Sequence, residues 1–283
     1  MDILKEIEPA RALARGFKKE SGLIVGAVPT MGCLHKGHAS LIKRSVEECD
    51  RTVVSVFVNP TQFGPGEDLA SYPRDLGRDL DLCRTLGVSA VFCPEPSVMY
   101  PEGFATKVEV PLLSEGLCGR FRPNHFAGVC AVVLKLFHII EPHRAYFGLK
   151  DAQQFLILSR LVLDLNLDVS LVPCPIVREP DGLALSSRNS YLSPREREAA
   201  TVLSRALVQA RMMLDLGERS AERVLSKIET VVASEPLATL DYAEAVDTRD
   251  LRPVERIEGE TLIALAVRLG RTRLIDNIFY HPR

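Results

Sequence analysis

The chain has 283 residues, 46% of them hydrophobic and 25% charged, with a formal net charge of −2. Such a composition belongs to a globular protein of one large or two modest domains, and the charge balance argues against a general nucleic-acid binder, which is basic as a rule. Asp2, Lys5, Glu6, Glu8, Arg11 and Arg15 near the N-terminus do not read as a signal peptide, and the most apolar stretch, 129–140, is interrupted by Lys135 and too short to span a bilayer. A cytoplasmic protein with no membrane and no nucleic-acid partner is expected. The 7 cysteines, with no C-x-x-C pair, read as small buried hydrophobes in a reducing compartment.

In chain order, Pro9 opens a helix with Ala10, Leu13, Ala14 and Phe17 on one face, and Gly22 ends it. Residues 23–28 form an apolar strand. It runs into the turn Pro29-Thr30-Met31-Gly32-Cys33-Leu34-His35-Lys36-Gly37-His38, then a helix over 39–49 with Leu41, Ile42, Ser45, Val46 and Cys49 toward the core. The β-branched run 52–58 is apolar on both faces, as in a buried parallel strand, so a right-handed crossover unit is expected. Asn59-Pro60-Thr61-Gln62 follows, then a mobile segment at Gly64, Pro65 and Gly66 with Tyr72 at its far end. Pro73 starts a helix facing inward through Leu76, Leu80, Cys83 and Leu86. Strands are expected at 89–93 and 105–110, a buried helix at 128–140, and a strand at 144–147 that ends in Gly148-Leu149-Lys150-Asp151. A helix at 152–163 and a strand at 169–172 complete the first domain. Pro173 and Pro175 mark a hinge, dividing the chain into residues 1–175 and 176–283. Beyond it, Ser193, Pro194 and Glu196 spell a capping box with proline at the first helical position. That helix runs to 216 and another covers 221–233; 240–246, 262–268 and 273–278 are strand-like. The reading is an α/β domain followed by a smaller α+β domain.

His35 and His38 are three apart and share one face of the first helical turn. A helix start leaves backbone N–H groups unpaired and presents its positive dipole end, and Gly37 lets a bulky ligand approach the backbone. A nucleotide phosphate suits that point. On this spacing alone, surface imidazoles and metal ligands stay open, although no third ligand follows at regular spacing. Ligands of open parallel sheets gather beyond the carboxyl ends of strands, which is where Asn59 and Gln62 fall. Lys150 opens a helix after another strand end, where an ammonium and helix N–H groups can neutralise phosphate. Ser186-Ser187-Arg188 offers two hydroxyls and a guanidinium as a compact anion clamp. Cys33, inside the first motif, reads as a space-filler.

These segments carry a resemblance. Pro29-Thr30-Met31-Gly32 with Leu34-His35 and Gly37-His38 resembles the opening motif of the pantothenate synthetase (pantoate–β-alanine ligase) family, in the H-x-G-H nucleotidyltransferase superfamily. Val56-Phe57-Val58-Asn59-Pro60-Thr61-Gln62-Phe63 is similar to the second motif. Tyr72-Pro73-Arg74-Asp75, His125-Phe126 with Gly128-Val129, Phe147-Gly148 with Lys150-Asp151 and Gln153-Gln154, and Ser186-Ser187-Arg188-Asn189 match in order. The resemblance implies a Rossmann-like doubly wound parallel sheet with a C-terminal α+β lid domain, a homodimer, and two half-reactions. ATP adenylates (R)-pantoate with release of pyrophosphate; β-alanine then attacks the pantoyl adenylate to give pantothenate and AMP. Mg²⁺ is implied with ATP. His38 matches the proton donor, with His35 and Lys150 beside it in catalysis. The implied ATP site takes in Met31, Gly32, Cys33, Leu34, His35, Lys36, Gly37, His38, Gly148, Leu149, Lys150, Asp151, Val177, Leu185, Ser186, Ser187 and Arg188. Gln62 and Gln154 would bind pantoate, Gln62 also touching β-alanine. Asn59 would orient phosphate or amine, Tyr72 would belong to a gate loop, and Asp79 is put forward as a metal contact. Departures are Leu185, where many relatives have methionine, and Asn124, in place of a common glycine.

Other readings would need different features. A cytidylyl- or adenylyltransferase acting on a phosphorylated alcohol needs a phosphate site in place of Gln62 and Gln154. A class I aminoacyl-tRNA synthetase needs an RNA surface and more chain. A non-catalytic nucleotide sensor needs neither glutamine.

Overall fold

In the computed structural model, which describes residues 1–20 and 22–282, the chain divides into two compact units. Residues 1–111, 122–149 and 157–175 make the first; 112–121, 150–156 and 176 onward make the second. The elements, in order, are β1 (Asp2–Leu4), α1 (Ile7–Lys19), β2 (Val25–Thr30), α2 (Lys36–Glu48), β3 (Arg51–Val56), α3 (Leu76–Thr85), β4 (Ala90–Phe92), and the short α4 (Pro96–Met99), α5 (Pro111–Ser114) and α6 (Cys118–Phe121). Then come α7 (His125–Ile140), β5 (Arg144–Gly148), α8 (Ala152–Asp164), β6 (Ser170–Cys174), α9 (Pro194–Ala199), α10 (Val202–Asp215), α11 (Ala221–Ala233), β7 (Ala238–Asp247), β8 (Thr261–Leu269) and β9 (Thr272–Tyr280).

Among the described residues the first unit holds a six-stranded, all-parallel sheet in the order β1-β4-β3-β2-β5-β6. This is a Rossmann-like doubly wound sheet. From β2 the chain proceeds to β3 and β4 on one side and later to β5 and β6 on the other, so the order reverses beside β2. A crevice opens at such a reversal, beyond the carboxyl ends of the strands. The turn after β2 therefore sits where open parallel sheets commonly receive a ligand. Val28, Ile42, Val54, Cys83, Val91 and Tyr146 are buried in the core that fixes it. Gly26 lets α2 lie close on β2: a Cβ there would collide with Ser45 Oγ and come within 2.9 Å of Cys49 Sγ.

The second unit packs α10 and α11 on a three-stranded antiparallel sheet, β7-β8-β9. The capping box of Ser193 and Glu196 starts α9 as its sequence predicts.

Several elements differ from expectation. No strand forms at 105–110; the segment is mostly exposed on both sides, with Lys107 paired to Glu109, and has no neighbouring strand among the described residues. The three-residue β1, exposed at Asp2 and Ile3, had no readable alternation. The first helix begins at Ile7, so Pro9 falls within its first turn, where its missing N–H lacks a partner in any case. Asp75, not Pro73, caps α3, its carboxylate accepting the Arg78 N–H. The single helix expected up to 216 is two, α9 and α10. The buried helix starts at His125, behind Asn124 in the left-handed region at φ +63°. Asparagine tolerates that region better than other non-glycine residues.

Candidate active site

The turn after β2 is built around a buried carboxylate. Gly32 and Cys33 both take left-handed backbone (φ +80° and +49°). Asp79, 1% exposed on α3, accepts the Cys33 N–H at 2.8 Å and the Leu34 N–H at 2.7 Å. Burial pushes its carboxyl above the ordinary range, against the two N–H donors that favour the charge. The amides of the turn ahead of the helix are already engaged. Gly32 N–H bonds Thr30 Oγ1, and the amides of Cys33 and Leu34 are held by Asp79. Asp79 thus shapes the turn, with both oxygens directed at peptide groups.

The histidines cap the helix that follows. His35 is the N-cap of α2, and its Nδ1 accepts the Gly37 N–H at 3.1 Å. His38 Nδ1 accepts the His35 N–H at 3.3 Å, completing a capping box made of two imidazoles. Because each Nδ1 accepts, each neutral ring carries its proton on Nε2. The ring centroids are 4.0 Å apart. The anion-attracting groups here are two ring N–H donors at a helix N-terminus.

Gln62 is the second focus. Asn59, 1% exposed, donates through Nδ2 to Gly128 O (3.1 Å) and to Gln62 Oε1 (3.2 Å); its Oδ1 accepts from Thr61 Oγ1 (2.9 Å) and Tyr100 Oη (2.7 Å). A carbonyl at Gly128 demands a donor, so the Asn59 amide has one orientation, and Gln62 must turn its oxygen inward. The Gln62 NH₂ then points toward Met31, 3.0 Å from Sδ. Asn59 was expected to orient phosphate or amine; its amide is fully bonded inside the protein and orients Gln62. Gly128 brings α7 against this turn, since a Cβ there would lie 2.5 Å from Thr61 O and 2.7 Å from Gln62 N. Tyr72 is buried, edge-on to Phe63 at 5.9 Å.

In the second unit, Lys150 and Ser186 line one small cavity with Asn189 and Asp276. Lys150 Nζ is 3.7 Å from Asp151 Oδ1, and its backbone carbonyl accepts from Asn277 Nδ2 at 2.9 Å. Arg178 grips Asp276 with bonds of 2.6 and 2.9 Å. Ser186 Oγ accepts the Arg188 N–H and caps a 3₁₀ turn over Ser187–Tyr191. Val177 and Leu185 are brought together by a backbone bond, Leu185 N–H to Val177 O, at 3.0 Å. Gln154 is partly buried in the first turn of α8; its neighbour Gln153 is buried and ties Leu113, Gly116 and Cys118 together. Leu149, at the strand end after Gly148, opens the 3₁₀ turn that carries Lys150.

Sequence reasoning missed Asp79 as the turn's anchor, and Tyr100, Arg178, Asp276 and Asn277 altogether. The first had a signal: an acidic residue one turn before Cys83, on the side of α3 that faces the core. For Mg²⁺, no group of three His, Cys, Asp or Glu side chains capable of holding a metal ion occurs among the described residues. Both Asp79 oxygens are directed at amides, so the residue put forward as a metal contact does not fit that role.

Comparison with known proteins identifies a family across the whole chain. The family model for pantoate-beta-alanine ligase matches residues 2–279. The chain is 55% identical over 278 residues to a pantothenate synthetase of Heliobacterium modesticaldum, covering 98% of this chain and 99% of that one. It is 51% identical to that of Ruminiclostridium cellulolyticum over the full length of both. Among solved structures, the pantothenate synthetase of Thermus thermophilus superposes with a TM-score of 0.93 at 44% identity, covering 100% of both chains. The pantoate-beta-alanine ligase of Francisella tularensis, complexed with beta-gamma ATP and beta-alanine, superposes at 0.82 with 34% identity, again over the whole of both chains.

Proposed function

The chain belongs to the pantoate–β-alanine ligase family, and we propose from that membership how its residues share the reaction. It condenses (R)-pantoate with β-alanine using ATP, through pantoyl adenylate, to give pantothenate, AMP and pyrophosphate. Its homologue from Francisella tularensis was solved with an ATP compound and β-alanine, and both ligands come to this chain on that footing.

In the first half-reaction a pantoate carboxylate oxygen bonds to the α-phosphorus and pyrophosphate leaves with its bonding pair. Negative charge builds on the phosphate oxygens, and fixed donors must meet it. We assign this to the Nε2–H groups of His38 and His35, with His38 the proton donor. The observation that carries the assignment is the imidazole capping box, which leaves the ring proton of each neutral histidine on Nε2. Lys150, Ser186, Ser187 and Arg188 are assigned to the phosphates, and Met31, Gly148, Asp151, Val177 and Leu185 to the rest of the nucleotide. Residues 1–175 are read as the ATP- and pantoate-binding domain and 176–283 as a lid.

Gln62 and Gln154 take pantoate. The fixed Gln62 amide supports this, because its NH₂ can donate to a carboxylate without adding charge. In the second half-reaction the β-alanine amine, beside Gln62, forms the C–N bond and releases a proton to solvent while the acyl C–O bond to phosphate breaks and AMP departs. Tyr72 belongs to the gate that keeps water from the adenylate. Mg²⁺ would enter with ATP and offset its phosphate charge, and no step here passes through it. A cytoplasmic homodimer is the assembly expected from the family.

The test is single-turnover adenylation by His38→Ala. The barrier should rise by ~2.7–4 kcal/mol, the usual cost of a lost transition-state donor. An unchanged rate removes His38 from this role.

A further inference from the structure

Gln62 is held at two ends, by its side chain and by its peptide carbonyl. Its peptide carbonyl accepts from His125 Nδ1 at 2.7 Å and from Arg122 Nη2 at 3.3 Å. Because a carbonyl only accepts, His125 Nδ1 carries the proton. His125 Nε2 lies 3.0 Å from Arg122 Nη1, and a guanidinium only donates, so Nε2 accepts. The two contacts together fix one neutral tautomer. Arg122 is in turn locked by Glu67, through Nε at 3.0 Å and Nη2 at 2.5 Å. The pair is largely buried, with side-chain exposures of 14% and 23%. Glu67 closes the turn begun at Gly64, its N–H bonding Gly64 O at 3.2 Å. The segment after Gln62 is therefore strapped to the start of α7 by the Glu67–Arg122 ion pair and by bonds from Arg122 and His125 that converge on the Gln62 carbonyl.

We propose that Glu67, Arg122 and His125 are positioning residues for pantoate, fixing Gln62 by its peptide carbonyl while Asn59 fixes it by its side chain. This rests on the assignment of Gln62 to pantoate. The strap touches no reacting atom. It holds the peptide from which the Gln62 side chain springs, and a displacement there moves the amide NH₂ off the pantoate carboxylate. Buried donors and acceptors left unpaired by its loss favour such a displacement. ATP, handled by other residues, is unaffected.

The experiment measures KM for pantoate and for ATP in the full chain and in His125→Asn, His125→Gln, Glu67→Ala and Gln62→Ala. Asparagine's Nδ2 occupies the place of histidine's Nδ1; glutamine's amide lies at the distance of Nε2 and does not reach the carbonyl in the same way. Expected is a rise in pantoate KM of about tenfold, one hydrogen bond's worth, in His125→Gln and Glu67→Ala. Recovery toward the parent value is expected in His125→Asn, with ATP KM unmoved throughout. Equal behaviour of the two His125 variants, or an ATP KM that rises in step, overturns the proposal, because loss of packing would do the same to both. Glu67 is more exposed than His125, so its variant keeps the test alive if the His125 variants fail to fold. If Gln62→Ala raises pantoate KM and the strap variants leave it alone, the strap is refuted and the Gln62 assignment survives. If Gln62→Ala leaves pantoate KM unchanged, the assignment falls and the strap's role with it.

Discussion

Asp79 holds the histidine turn by two peptide hydrogen bonds, and a one-atom change tests it. Asp79→Asn turns an NH₂ group toward one of two N–H donors that need an acceptor. Unfolding by denaturant should show a loss of ~1–3 kcal/mol, the cost of a buried donor without its partner. Unaltered stability would mean that the left-handed turn at Gly32 and Cys33 stands without the carboxylate. Glu67 gives the pH arm. Burial pushes its carboxyl up, but the hydrogen bonds and charge of Arg122 outweigh this and hold it below its ordinary value. A carboxyl lowered by folding stabilises above its unfolded pKa and ceases to do so as pH falls through the folded one. The stability gap between the parent and Glu67→Gln should therefore be open at neutral pH and close on acidification below the ordinary carboxylate range. A gap independent of pH would contradict the ion pair. At this scale the site was legible where chemistry is concentrated in short spacings, as in His35 and His38. It was not legible where one residue serves another across the fold. Asn59 looks like a ligand contact in sequence, and only the carbonyl of Gly128, 69 positions away, shows that its amide is already engaged.

Elements were legible when a long run carried one period and one burial. The β-branched strand β3, the capping box of α9 and the apolar helix α7 all declared themselves. Failures came from segments whose state is decided by neighbours. Residues 105–110 have strand-like composition and no described strand to pair with, while β1 is three residues that become a strand because β4 accepts them in register from Asp2 with Ala90 to Leu4 with Phe92. Helix α7 also carries the sharpest packing constraint near the site. Gly128→Ala places a methyl 2.5 Å from the Thr61 carbonyl oxygen, so α7 or the Asn59–Gln62 turn must move. Overpacking of this kind costs roughly 1–3 kcal/mol. A lower melting temperature together with a higher pantoate KM is expected, since the displaced turn carries Gln62. A variant with both values at parental level would show that the close approach has no consequence.

For the molecule as a whole, the family, the folds of both units and the reaction agree: a doubly wound sheet presents the H-x-G-H turn at its reversal, and an antiparallel α+β unit follows. On the proposed roles, adenylation of pantoate is a step complete in itself, with the paired imidazoles as its donors. The most direct measurement is exchange of labelled pyrophosphate into ATP by the purified protein. Exchange that depends on pantoate and proceeds without β-alanine is the predicted result. Absence of exchange with pantoate and ATP together, or exchange only once β-alanine is added, would contradict a free-standing pantoyl adenylate and with it the role given to the paired histidines.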